Sequence, residues 1–147
     1  MFKGSLVAIV TPMNVDGSID KKSLGELVEW QISQGTDGIV VNGTTGEAPT
    51  LEPAEQKEVL SFVIDCVNSR LPVIAGTGSN STAKTIKDSQ QAFDLGADGC
   101  LIVVPYYNRP MQEGLYLHYR AIAEATDGPI ILYNHPGRTG CDLLPAT

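Results

Sequence analysis

Cysteine is scarce in this chain and badly placed for chemistry. The three present, Cys66, Cys100 and Cys141, are odd in number and far apart, and no CxxC or paired-histidine spacing accompanies them. That excludes a disulfide framework and a zinc site and leaves reduced thiols in or near the core as the expectation. Histidine is scarcer still: His118 and His135 form no metal pair, and a lone histidine on a helix, as His118 is expected to be, is structural or superficial. No metal is expected. Positive charge is also in deficit. A formal net charge of -7 speaks against a nucleic-acid backbone or an anionic membrane surface, both of which recruit clustered Lys and Arg. Long apolar runs are missing too, since none approaches the roughly 20 residues that span a bilayer. Leu6–Val10 is too short and too weakly flanked for a signal peptide. The expectation is a cytoplasmic protein with neither nucleic-acid nor membrane partners.

What is present is a regular alternation. Runs rich in Val and Ile recur at Leu6–Val10, Gly38–Val41, Pro72–Ala75, Cys100–Val104 and Ile130–Tyr133, about one βα unit of 30 residues apart. Continuous apolar character predicts strands buried on both faces, hence parallel. Between them lie helical periodicities. Leu24, Leu27, Val28 and Ile32 follow Asp20, a candidate N-cap, and Leu60, Val63, Ile64 and Val67 follow Pro53, suited to a first helical position. Ala83, Ile86 and Phe93, then Met111, Leu115, Tyr119 and Ile122, mark two more. Five strands and four helices are expected.

Thr36-Asp37-Gly38, Ala97-Asp98-Gly99 and Thr126-Asp127-Gly128 each introduce a strand, so one αβ connection is built repeatedly. Strict alternation suits a (β/α)8 barrel or a doubly wound sheet, but the first βα turn, Thr11-Pro12-Met13-Asn14, has no GxGxxG fingerprint. The barrel is favoured. Because a full barrel takes about 250 residues, residues 1–147 are expected to be the N-terminal part of a single (β/α)8 domain, its first five strands and four helices.

In such a barrel the active site lies at the C-terminal strand ends, which predicts Thr11, Gly43–Glu47, Gly76–Asn80, Pro105–Asn108 and Tyr133–Thr139. Gly43 and Gly46 free the backbone for a tight turn on which amides and the hydroxyls of Thr44 and Thr45 can converge on a small carboxylate; a purely structural turn would read the same. Tyr106, Tyr107 and Tyr133 are packing residues or proton-shuttling phenols. Arg138, on a Pro-Gly loop at this face, suits bidentate capture of a substrate carboxylate.

Taken in order, Phe2-Lys3-Gly4, Ile9-Val10-Thr11-Pro12, Gly43-Thr44-Thr45-Gly46-Glu47, Gly76-Thr77-Gly78-Ser79-Asn80, Pro105-Tyr106-Tyr107-Asn108 and the run from Tyr133 to Gly140 resemble the N-terminal half of the dihydrodipicolinate synthase family. That family condenses pyruvate with aspartate semialdehyde through a lysine Schiff base at the entry to lysine and diaminopimelate synthesis, with no cofactor. The resemblance implies that Thr44 and Thr45 hold the pyruvate carboxylate, with Thr44 linking two tyrosines in a proton relay. Tyr133 moves protons at the Schiff base, Tyr107 is lent across a dimer interface, and Arg138 receives the carboxylate of the aldehyde. It also implies a homo-oligomer, dimer or tetramer.

The family's lysine sits on the sixth strand, beyond Thr147. Lys3, Lys21, Lys22, Lys57, Lys84 and Lys87 lie at no predicted strand end, so the chain alone is expected to be inactive. Thr44-Thr45 and Arg138-Thr139-Gly140 favour the synthase over a sialic-acid lyase, although His135 replaces the small apolar residue more usual before Pro136. A non-catalytic half-barrel that binds carboxylates or a partner is the reading from another class. The family's lysine-feedback cluster corresponds to Ala48, Pro49, Pro53, Gln56, Asn80, Lys84 and Tyr106; Lys84 stands where sensitive members carry an acid, which implies insensitivity to lysine.

Overall fold

The Val and Ile runs form one parallel sheet whose strands lie in chain order, β1-β2-β3-β4-β5, with no crossover. A doubly wound sheet would reverse its order partway; this one does not, and the half-barrel reading holds. The computed structural model describes residues 2–147. Its strands are β1 (Leu6–Ala8), β2 (Gly38–Val41), β3 (Val73–Gly76), β4 (Gly99–Val103) and β5 (Ile130–Tyr133), and its helices are α1 (Lys21–Ser33), α2 (Pro53–Val67), α3 (Thr82–Asp94), α4 (Gln112–Glu124) and α5 (Pro136–Thr139). Register is continuous, for instance Ile39 with Val73 and Cys100 with Ile130.

The core lies between sheet and helices. Ile39, Val41, Val73, Ala75, Cys100 and Ile102 from the strands, with Val104 just past β4, meet Leu24, Val28, Val59, Val63, Leu115 and Ile122 from the helices. By the period of two, Val40, Ile74, Leu101 and Val103 point to the opposite, concave face. Burial on both faces, expected for every strand, is complete only in β2. The edge strands β1 and β5 are partly open, and Leu132 is 47% exposed, because each pairs on one side only.

Local chemistry explains the helix starts. Asp20 accepts from the Ser23 amide at 3.0 Å as the N-cap of α1. Glu52 and Glu55 form a reciprocal capping box ahead of Pro53 on α2. Two expectations about periodicity need correction. Ala83 is exposed, and the buried face of α3 is Thr85, Ser89 and Ala92, the first two polar residues that hydrophobic spacing overlooks. Met111 is 83% exposed because it precedes α4 rather than belonging to its apolar stripe. The helix count also differs from four: α5 adds a single turn, started by Pro136 and ended by Gly140 at φ 68°.

The repeated αβ connection has a defined bond pattern. Asp37 accepts from the Ser5 amide at 2.7 Å and Asp98 from the Val73 amide at 2.8 Å, each carboxylate gripping the chain entering the preceding strand. The backbone amides of Asp37 and Asp98 return the contact to the Ser5 and Val73 carbonyls. Both aspartates thereby fix strand register at the end of the sheet opposite the site. The three cysteines are unpaired, with Cys100 buried and Cys66 and Cys141 partly so. Among the described residues no helix is long and apolar enough to cross a membrane.

Candidate functional site

Every segment that follows a strand ends on the same side of the sheet, as parallel strands require. After β2, the chain turns through Asn42 at φ 56° and leaves the turn through Glu47 at φ 54°. The left-handed residues are therefore Asn42 and Glu47, not Gly43 and Gly46, which corrects the expected reason for the glycines. Gly46 is needed for closeness, since a methyl group there would meet the Ile9 carbonyl and the Thr11 hydroxyl at 3.2 Å. Gly43 has open space around it, its nearest neighbour being a Val40 methyl at 3.9 Å. Backbone bonds from Gly46 to Gly43 and from Glu47 to Thr44 close the turn, leaving both Thr44 and Thr45 exposed.

Two other glycines let neighbouring strand ends touch. A side chain on Gly76 would lie 2.1 Å from the Asn42 carbonyl oxygen, and one on Gly78 2.3 Å from the Val103 nitrogen. Below them Thr77 and Ser89 share a buried hydroxyl contact of 2.8 Å, and the Ser79 amide donates to Thr85 at 3.0 Å. The polar face of α3 is thus spent on holding the β3 loop. Burial pushes the neighbouring Cys100 thiol up from its ordinary value, against the pull of Thr77 and Ser89.

These strand ends enclose a cavity of about 710 Å³. Thr44, Tyr133 and Arg138 line it together with Tyr106 and Lys84; Thr45, Tyr107 and Asn80 do not. Tyr107 stands 90% exposed at φ 73°, a left-handed backbone held by a bulky residue. Asn80 serves instead through its carbonyl, which accepts from Asn108 at 3.3 Å and ties the β3 and β4 loops together. Tyr133 meets the ring of His135 edge-on, with centroids 6.3 Å apart, and both line the cavity. His135 therefore shapes the same wall as the phenol. Ala48, Pro49, Pro53 and Gln56 line it as well, so the positions implied for effector binding, Asn80 apart, share one hollow with Thr44, Tyr133 and Arg138.

Two contributors escaped the reading of the sequence. Asn42 is 6% exposed, donates to the Gln56 carbonyl at 2.8 Å, and keeps a buried Oδ1 without a partner among the described residues. Its only signal is a polar residue ending an apolar strand. Asp88 pairs with the Lys84 ammonium, a spacing of four residues on α3 that marks such pairs. Lys84 stands on the first turn of α3 and reaches the cavity from there rather than from a strand end. Among the described residues no cluster of three or more His, Cys, Asp or Glu is arranged to hold a metal ion.

Comparison with known proteins agrees with the fold. The model of the dihydrodipicolinate synthetase family matches residues 1–147. A 4-hydroxy-tetrahydrodipicolinate synthase from Geobacter metallireducens is 63% identical over 147 residues, all of this chain and 50% of that protein. The crystal structure of a chloride-inhibited dihydrodipicolinate synthase from Acinetobacter baumannii, in complex with pyruvate, superposes with a TM-score of 0.96 at 59% identity, covering 97% of this chain and 49% of that one. A monomeric dihydrodipicolinate synthase variant superposes equally well, at 0.96 and 48% identity, over 99% of this chain and 48% of its own. The chain spans about half the length of the curated relatives it matches.

Proposed function

Because the chain belongs to the dihydrodipicolinate synthetase family, we propose that it supplies the N-terminal half of the barrel domain and much of the substrate site of a cytoplasmic 4-hydroxy-tetrahydrodipicolinate synthase, which condenses pyruvate with aspartate semialdehyde. The observation that carries the reading is convergence: Thr44 from the end of β2, and Tyr133 and Arg138 from the end of β5 and the turn after it, line one cavity. Thr44 and Thr45 receive the pyruvate carboxylate on a turn that leaves both residues exposed. Arg138 takes the carboxylate of the second substrate.

The chemistry requires a neutral lysine amine to attack the pyruvate carbonyl, expel water and form an iminium. That iminium draws the electron pair of a C–H bond into an enamine, the carbon nucleophile for the aldehyde. Tyr133, on the cavity wall, moves those protons, and Tyr107, 90% exposed, reaches into a second subunit of a homo-oligomer to complete the relay. Lys84 is the lysine that lines the cavity among the described residues, and its ammonium is engaged by Asp88. The Schiff-base lysine therefore belongs to the half of the barrel that these residues do not include.

Borohydride trapping with pyruvate, read by intact mass, tests this. The natural protein should appear as a species heavier than 15.7 kDa with one reduced pyruvyl adduct, while the 147-residue chain alone takes none. Absence of any adduct on the natural protein would overturn the synthase reading. An adduct on the short chain would move the nucleophile to one of its own lysines.

A further inference from the structure

The start of α4, with the loop before it, is tied to the segment after β5 at several points. The Gln112 amide donates to the Asp142 carbonyl at 2.7 Å, and its oxygen accepts from the Leu144 amide at 3.2 Å. The Cys141 thiol reaches the Pro110 carbonyl at 3.3 Å. Asn134, just past β5, binds Asp142 at 2.7 Å and the Leu143 amide at 3.2 Å. Between these contacts and the cavity lies the α5 turn, with Arg138 on it.

At the end of that turn stands an arginine to which nothing has yet been assigned. A methyl group built on Gly140 would lie 2.8 Å from Arg109 Nε and 3.0 Å from Nη2, with Cζ farther at 3.3 Å. The guanidinium thus lies with Nε and Nη2, one of its two-donor edges, nearest to Gly140. A helical turn leaves its last carbonyls without helical partners at that end, and a cation there is favoured. Both backbones are set for the contact. Arg109 has φ 44° and Gly140 has φ 68°, so each side of the contact is a left-handed corner. Arg109 does not line the cavity, and it follows Tyr107 by two residues in the same loop.

We infer that Arg109 is a positioning residue for Arg138: its guanidinium closes the Gly140 end of the α5 turn, so that the loop bearing Tyr107 and the turn bearing Arg138 hold one mutual geometry. What Arg138 is positioned for rests on the proposed synthase reading; the positioning itself does not. Arg138, Thr139 and Gly140 donate their amides to the carbonyls of His135, His135 and Pro136, which makes the integrity of the turn directly measurable. An arginine at Gly140 with no such role would leave those bonds indifferent to its removal.

The test is residue-resolved amide exchange on the natural protein, with the Arg138 Nε–Hε resonance as a spectroscopic reporter. Arg109→Ala should accelerate exchange at Thr139 and Gly140 at least tenfold and broaden or shift the Arg138 resonance, with the Val104 amide, bonded to the Tyr133 carbonyl, unchanged. Arg109→Lys keeps the charge but not the two-donor edge, and should recover less than half of the lost protection. Thr139 and Gly140 within twofold of the parent, or Val104 accelerated as much as they are, would overturn the inference. Failure of pyruvate trapping would remove the synthase reading and leave this exchange result standing.

Discussion

The Thr11 hydroxyl donates a buried 2.7 Å hydrogen bond to the carbonyl of Gly46, across 35 residues of sequence. It joins the segment after β1 to the turn that carries Thr44 and Thr45, so the position of two proposed carboxylate ligands depends on a residue that does not line the cavity. Thr11→Val keeps the shape and removes the donor, leaving a buried carbonyl unsatisfied. It should destabilise the fold by about 1–3 kcal/mol, read as a lower urea midpoint, with faster amide exchange at Glu47 and Ala48. Thr11→Ser should restore most of both. Unchanged exchange at those amides would show that the turn closes without Thr11.

Glycines at the strand ends differ in what they forbid, which gives a graded test. Gly76→Ala drives a methyl group to 2.1 Å from the Asn42 carbonyl, a backbone atom that cannot step aside. Overpacking of this kind should destabilise by about 3 kcal/mol. Gly43→Ala meets nothing nearer than 3.9 Å and has no left-handed backbone to strain, so its thermal midpoint should stay close to the parent. A large loss at Gly43 and none at Gly76 would contradict the packing described.

The contrast between those glycines also shows where a sequence stops speaking. The strands were legible because β2, β3 and β4 are bounded runs of Val, Ile and small residues, and α2 because Pro53 starts it and an apolar stripe follows. The buried face of α3 was not, since Thr85 and Ser89 are inside for their hydroxyls and not for hydrophobicity. The site segments were legible as unusual residues at strand ends. Which of them share a wall was not: Thr44 and Thr45 are adjacent in sequence, yet only Thr44 lines the cavity. Gly43 and Gly46 read alike in sequence, while the left-handed corners fall on Asn42 and Glu47.

His118 predicts a pH dependence. It bridges α4 to α3 through Nδ1 and the Thr82 hydroxyl at 2.8 Å, and its Nε2 is buried without a partner among the described residues. Burial holds its pKa below the ordinary 6.5. The unfolded chain therefore takes up this proton at a higher pH than the folded one. Stability from the neutral ring is complete above about pH 6.5 and declines as pH falls toward the lowered native value. Thermal midpoints at pH 7.5 and 5.5 should differ more for the parent than for His118→Gln, and equal differences would exclude His118 as the source.

Lys84 predicts what the cavity refuses. Its ammonium faces the hollow from α3, paired with Asp88, beside Tyr106 and Gln56. A second ammonium there meets a like charge, a juxtaposition that costs several kcal/mol when desolvated. Free L-lysine at millimolar concentration should leave the Tyr106 and Asn80 resonances of the chain unmoved, and should not inhibit the complete enzyme. Inhibition by sub-millimolar lysine would refute this. Lys84→Glu exchanges attraction for repulsion against Asp88, so any gain in lysine binding should come with a slight loss of helix stability, about 0.5 kcal/mol.

Tyr107 predicts a conflict between stability and function. Its side chain is 90% exposed in the single chain, and its backbone sits at φ 73°. A left-handed residue with a side chain costs about 1–2 kcal/mol, and nothing in the chain returns that energy through burial of the ring. Tyr107→Gly should relieve the strain and, after the added freedom of the unfolded chain is deducted, leave the isolated chain as stable or up to about 1 kcal/mol more stable. Tyr107→Phe retains the strain and should be neutral. If the ring is presented to a second subunit, the order reverses in the assembled enzyme: the glycine variant should lose activity and dissociate more readily, while phenylalanine keeps assembly and loses proton relay alone. Urea midpoints of the single chain, set beside sedimentation and turnover of the assembled enzyme, separate these effects. A glycine variant clearly less stable as a single chain would mean that Tyr107 is held by contacts within the chain and is not strained for a partner.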